Sequence, residues 1–382
     1  MQENGERPEG NYVTVNGRRM RCGHTTGTCA AAASKASALA LLSGRFPESV
    51  EILTPKGILL NLKTEECSMS GESASCAVRK DGGDDQDATH GTLVFSEVRL
   101  TPSRIEIDGG KGVGRVTRKG LDQPPGNAAI NKVPRSMIRE VLEDAALAFE
   151  YKGGFSVTVS VPEGEEIAAR TFNPRLGIQG GISILGTSGI VEPMSEKALI
   201  ASIEKEMDVH AAAGEKVLIV VPGNYGKEFS DSIPGIDDGM CVKCSNFVGE
   251  MLDHACELGV DVILISNMGK IVKVAGGIMN THSRNADCRM EIIASNAAVA
   301  GADIETVRKV MGCISTDDAL DALTDPGLRD RTCALMMEKI QYHMNHRTYG
   351  KIRTGAVMFS SVYGLLGKTE LADRLIKEAT GQ

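Results

Sequence analysis

The chain has no tryptophan, and only 6 tyrosines and 8 phenylalanines in 382 residues, so any core must be filled with aliphatic side chains. No run of ~18 uninterrupted apolar residues occurs, which excludes an ordinary membrane-spanning helix. The opening stretch MQENGERPEGNYVTVNGRRM lacks the apolar segment of a secretory signal. A basic surplus is missing too. With 50 acidic against 42 basic residues the net charge is −8, a poor match to the phosphates of a nucleic acid. The 10 cysteines show no small-disulfide-domain spacing. The one close pair, Cys241 and Cys244 in CVKC, has no second CxxC, and His254 and Cys256 do not complete a zinc ribbon. These absences lead us to expect a cytoplasmic protein with reduced thiols, no protein-bound metal, no nucleic-acid partner and no membrane partner. A homo-oligomer stays open.

What is present suffices for two cores, since 42% of the residues are hydrophobic. In the first half, short β-like runs such as VEILTPKG, GTLVFSEVRL and FSVTVSVPEG alternate with glycine loops. Two helices interrupt them, one from about Cys29 to Leu42 and one from Pro134 to about Glu150. Beyond a helix over 195–213 the grammar changes: KVLIVV, a glycine loop, MCVKCS, the helix NFVGEMLDHACELG and VDVILIS read as a parallel sheet with crossovers. The expected fold class is α/β and α+β. An N-terminal α+β two-layer domain spans 1–200, and a Rossmann-like parallel-sheet domain with a helical C-terminal part spans 201–382.

Several segments combine glycine with potential ligands. In GHTTGTCAAAASKASALALLSG, residues 23–44, the threonines stand at the start of a helix. Either Thr25, Thr26 and Thr28 form an anion cradle there, or they simply cap a buried helix. RKDGGDDQDATHG sets four aspartates beside Arg79 and Lys80, either as a site or as a solvated turn. KGVGRVTRKG supplies Lys111, Arg115, Arg118 and Lys119, and TFNPRLGIQGGISILGTSGIVEP is a glycine-rich wrap or a set of tight turns. VPGNYG and CSNFVGEML lie at the expected carboxyl ends of adjacent strands, the usual ligand edge of an open sheet. Finally, a loop reading SNMGKIVKVAGGIMNTHSRNADCRME gathers Lys270, Lys273, His282, Ser283, Arg284, Asp287 and Arg289.

In order, these segments resemble the cobalt-precorrin-5B C1-methyltransferase family of the anaerobic cobalamin pathway, from about residue 18 to residue 365. The resemblance implies transfer of a methyl group from S-adenosylmethionine to ring carbon C1 of a cobalt corrinoid, giving cobalt-precorrin-6A. Where the family carries glycine and histidine before a hydrophobic residue and Gly-Lys, this chain has Ser266 and Asn267. On this reading Asp84, Asp85, Asn267 and His282 are the candidate catalytic residues. Thr25, Thr26, Lys80, Arg115, Arg118, Arg175, Lys270, Lys273 and Arg284 are expected to meet the polyanionic corrinoid. Gly223, Asn224, Gly226, Ser245, Asn246 and Gly249 are expected to hold S-adenosylmethionine, with the active site between the two domains. Two rival classes are a non-catalytic corrinoid carrier and a kinase-like enzyme that cradles phosphate on the Thr-Gly helix start.

Overall fold

The structure is a computed structural model that describes residues 11–223, 229 and 233–381. It is a mixed α/β protein whose chain divides into two compact units, Met1–Glu196 and Lys197–Gln382.

The first unit is built on a five-stranded sheet. Its strands are β1 (Glu65–Ser70), β2 (Ser73–Arg79), β3 (Leu93–Thr101), β4 (Ile105–Gly109) and β5 (Gly154–Ser160), in the spatial order β1-β2-β3-β5-β4. All neighbours are antiparallel except β5 and β4, which run parallel. Helix α1 (Thr26–Ser43) lies between β2 and β3 on one side and α2 (Lys132–Ala148) on the other. This explains its composition. A helix covered all round needs no polar face, and alanine lets its neighbours approach closely. Its two buried serines are satisfied within the layer: Ser34 bonds the Ser96 hydroxyl at 2.8 Å and Ser37 donates to the Ser96 carbonyl at 2.9 Å. The helix starts three residues earlier than expected, at Thr26, because Thr25 is its N-cap and accepts the Thr28 N–H.

The glycine-rich segments of this unit pack on each other. Gly112–Val113 pairs with Gly181–Ile182, and Arg115–Val116 with Ile178–Gln179. A Cβ on Gly181 would stand 2.2 Å from the Gly112 carbonyl, and one on Gly164 would stand 2.0 Å from the same oxygen. Backbone approaches backbone here, so the glycines answer a packing demand.

The second unit carries the sheet β6 (Val217–Val221), β7 (Cys241–Lys243), β8 (Asp261–Asn267), β9 (Thr354–Ser360) and β10 (Gly364–Lys368), in the order β7-β6-β8-β9-β10. The first four are parallel and β10 returns antiparallel, a final strand that the sequence reading did not anticipate. Both faces are covered. Leu218 and Val220 enter one core with Met251, Ile271 and Met336, while Val217, Ile219 and Val221 enter the other with Leu375 and Ile376. That explains the uninterrupted apolar run of β6. Among the described residues no helix is long and apolar enough to cross a membrane.

Gly181→Ala should therefore lower the melting temperature strongly, since overpacking against backbone costs about 1–3 kcal/mol. Gly312→Ala, whose Cβ would meet nothing closer than 3.5 Å at φ −87, should melt like the parent. Differential scanning calorimetry compares the two.

Candidate functional site

In the second unit β6 has a parallel neighbour on each side, β7 and β8, so the connections leaving its edge diverge and open a crevice beyond the carboxyl ends of these strands. Pro222 and Gly223 follow β6, while Cys244, Ser245 and Asn246 follow β7. After β8 there is no loop: Asn267 caps helix α3 (Met268–Ala275) directly, its Oδ1 accepting the Gly269 N–H at 2.9 Å. The part of that segment carrying Lys270 and Lys273, read from sequence as a loop, is thus helix, and the part from Gly276 to Cys288 is irregular. A spacing of three places both lysines on one face.

Lys270 donates to the Pro222 carbonyl at 2.7 Å and reaches the Ser245 carbonyl at 3.4 Å, tying together the loops after β6 and β7. Lys273, only 2% exposed, donates to the Thr281 carbonyl at 3.0 Å. Among the described residues neither lysine forms an ion pair, and burial lowers both pKa values from the usual lysine range. A cavity of about 330 Å³ opens here, lined by Asn246, Lys270, Lys273, Thr281, His282 and Arg289. Arg289 is bidentate to Asp287, at 2.7 and 2.8 Å. The cavity wall is therefore cationic, with two lysines whose partners among the described residues are carbonyls.

The structure brings together two groups of residues that sequence reasoning had assigned to different ligands. Asn246 shares the cavity wall with Lys270 and Lys273, and a Cβ on Gly223 would lie 3.8 Å from the Lys270 Nζ. Ser245, at φ +54, turns its carbonyl toward Lys270. Asn246 accepts the Thr281 N–H at its carbonyl, which draws the His282 segment to the cavity. His282 is exposed at the rim, with Nδ1 accepting the Arg284 N–H at 3.1 Å. Gly249 has a different task, since its N–H donates to Met279 and a Cβ there would be 2.9 Å from the Met279 Cβ. Asn224 and Gly226 lie outside the described residues. Asn267 serves as a helix cap, and Ser266 is buried beneath it with its hydroxyl donating to the Asn267 carbonyl.

The first-unit candidates are mostly engaged with their own fold. Lys80, expected to meet substrate, is buried and donates to Asp87 at 2.8 Å, so its charge is already paired. Asp84 accepts the Arg21 N–H at 2.6 Å and Asp85 the Met194 N–H at 2.9 Å, which fastens the middle of the aspartate loop on two sides. The bidentate Arg21 guanidinium holds Asp81 down to about 2. Thr25, Thr26 and Thr28 are buried, with Thr28 donating to the Gly189 carbonyl and Thr26 bonding Leu185. Gly27 N–H also donates to Leu185, so this helix start is closed by the Leu185–Gly189 turn and leaves no phosphate cradle. Arg115 is bidentate to Asp108, whereas Arg118 donates to the Arg175 carbonyl and, among the described residues, forms no ion pair. Arg175 is half-buried beside it and Arg284 is exposed in the second unit.

Sequence reasoning missed Thr281 and the Pro222 carbonyl as partners of the lysines, and Arg21 as the partner of Asp81. Thr281 stood next to His282 and carried that much signal; a carbonyl carries none.

Lys273→Met should fold within about 1 kcal/mol of the parent, because losing a buried cation offsets losing its hydrogen bond. The depressed folded pKa sets the sign. The charged lysine penalises the fold below that value and the penalty fades as pH rises toward the unfolded lysine range, so any gain in the variant is largest near neutrality and shrinks toward pH ~10. Urea unfolding at several pH values measures it.

Comparisons with known proteins find matches in both halves of the chain. The CbiD family profile matches residues 13–193, and the profile of the CbiD C-terminal domain matches residues 280–370. A cobalt-precorrin-5B C(1)-methyltransferase of Ruminiclostridium cellulolyticum is 47% identical over 97% of this chain and 95% of its own length. One from a Thermoanaerobacter species is 44% identical over 94% of this chain and 97% of its own. The crystal structure of the cobalamin biosynthesis protein cbiD from Archaeoglobus fulgidus is 28% identical and covers 72% of this chain and 86% of its own, with a TM-score of 0.40. Matches of this identity along nearly the whole length leave one family, and the chain belongs to the CbiD, cobalt-precorrin-5B C(1)-methyltransferase family.

Proposed function

We propose that this protein methylates ring carbon C1 of cobalt-precorrin-5B, the reaction its relatives are named for, and that the methyl donor is S-adenosylmethionine held in the second-unit crevice. The observation that carries the donor assignment is the pair Lys270, half-buried, and Lys273, buried, which among the described residues have no carboxylate partner at the carboxyl edge of a parallel sheet. This treats the second unit as a Rossmann-like sheet of strand order 2-1-3-4 in its parallel part, where a ligand belongs at the divide between the first and third strands. A cavity of about 330 Å³ is too small for a whole corrinoid and suits an extended donor. The lysines take its carboxylate, and the sulfonium lies away from them. Asn246 and the backbone of Gly223 and Ser245 orient the rest.

The donor supplies a methyl group with its own leaving group, a thioether. As the bond from the ring carbon to the methyl forms, the bond from the methyl to sulfur breaks, so no metal or strong acid has to assist. The protein must hold two reactants in line, and such orientation is worth up to ~7–11 kcal/mol, against ~3–5.5 kcal/mol for a general base. A site with Asn267 in place of an imidazole is consistent with that balance. His282, at the rim, remains the candidate for any proton transfer. Arg118, Lys119 and Arg175 of the first unit are proposed to meet corrinoid carboxylates; Asp84 and Asp85 shape the loop rather than take part in bond changes. Reduced thiols throughout the chain fit work in the cytoplasm.

Isothermal titration with S-adenosylhomocysteine tests the assignment. The parent should bind, and Lys270→Ala with Lys273→Met should weaken binding ~10- to 100-fold, the worth of charge-assisted hydrogen bonds. The corrinoid KM should rise with salt, since its partners are exposed charges, while the donor KM stays nearly flat. Unchanged S-adenosylhomocysteine affinity with a raised corrinoid KM would move the crevice from donor to substrate, and no affinity in the parent would favour a corrinoid carrier.

A further inference from the structure

Methyl transfer makes no use of a thiol pair in the first unit. Cys67 lies on the edge strand β1 and Cys76 on β2, with their Sγ atoms 3.3 Å apart. The pairing is a product of a β-bulge. Glu65 stands opposite Ala77 and Ser68 opposite Ser75, so two residues of β1 face the single residue Cys76. Glu66 takes up the extra length at φ +49, and the bend turns Cys67 onto the face that Cys76 already occupies. Both thiols are free; Cys67 is exposed and Cys76 has no exposed surface. Burial, reinforced by the neighbouring Cys67, pushes the Cys76 thiol up, which leaves Cys67 as the thiol an outside reagent meets first.

We propose that Cys67 and Cys76 are a reversible disulfide site, closed by a low-molecular-weight disulfide such as glutathione disulfide. The Cys67 thiolate attacks one sulfur of the reagent and releases one free thiol, giving a mixed disulfide. Cys76 then attacks the Cys67 sulfur, releases the second thiol and closes the bond. Two cysteine thiols are oxidised, one reagent disulfide is reduced to two thiols, and each cysteine proton leaves with a departing thiol. A bond of ~2.05 Å requires the sulfurs to approach by a little over ~1 Å, which side-chain rotation at an edge strand supplies. The closed bond ties the sheet edge to β2, the strand from whose end the Lys80–Gly91 loop departs.

The test treats the full-length protein with glutathione disulfide at neutral pH, traps free thiols and maps peptides by mass spectrometry. The expected product is a peptide pair joining Cys67 to Cys76 with the loss of two hydrogens, reversed by dithiothreitol. Cys288, also exposed, should keep a glutathione adduct under the same treatment. Cys67→Ser should leave Cys76 free, and Cys76→Ala should convert Cys67 from a transient to a lasting glutathione adduct. The surface change Cys67→Ser keeps the test intact should the buried change fail to fold. A parent protein in which Cys67 holds glutathione as Cys288 does, with Cys76 still free on denaturation, overturns the proposal.

Discussion

Every residue of the second-unit crevice depends on one constraint, the parallel pairing of Val217–Val221 to a strand on each side. Parallel strands point their carboxyl ends the same way, so three separate connections must leave from one edge. Lys270 then finds the Pro222 and Ser245 carbonyls within reach although 48 and 25 residues of chain separate them. The lysine holds the edge together, and the edge in turn leaves the lysine half-buried. Partial burial of a cation with no counter-ion among the described residues is costly, which is why we propose an anionic ligand group as its partner.

The first unit rests on the opposite device, surfaces brought so close that side chains have no room. Helix α1 is alanine on nearly every face because it fills the space between β2, β3 and α2. Its start is sealed by the Leu185–Gly189 turn, and the Gly112, Gly164 and Gly181 backbones rest on each other. The loop of four aspartates is fastened the same way. Gly23 and Gly83 let the Arg21–His24 strand pass against it, and Arg21, Lys80 and two backbone N–H groups take up its carboxylates. These bonds hold the loop against the Arg21–His24 segment and Met194.

Charge distribution follows from these two designs. The chain is acidic as a whole, yet several of its acids are paired at home, as in Arg115 with Asp108, Arg79 with Glu65 and Arg353 with Asp261 and Glu378. The lysines of the crevice are an exception within the second unit. A negative protein thereby keeps a local positive wall where a carboxylate would arrive.

The amino-acid sequence by itself determined the periodic elements, because alternation, apolar runs and glycine breaks act over a few residues. It marked the alanine helix, the apolar run KVLIVV as a strand buried on both faces, the parallel grammar after it and the segment holding Lys270, Lys273 and His282. It also carried the family resemblance, whose signal is spread over the chain and needs no contact map. Only the tertiary structure decided which polar groups are already taken. Lys80 and Thr26 look available in sequence and are buried against Asp87 and Leu185, while Asn246 and Lys270 look like parts of two sites and line one cavity. The physical reason is that a polar side chain acquires its role from the partner it meets, and here the partners are backbone carbonyls and residues dozens of positions away.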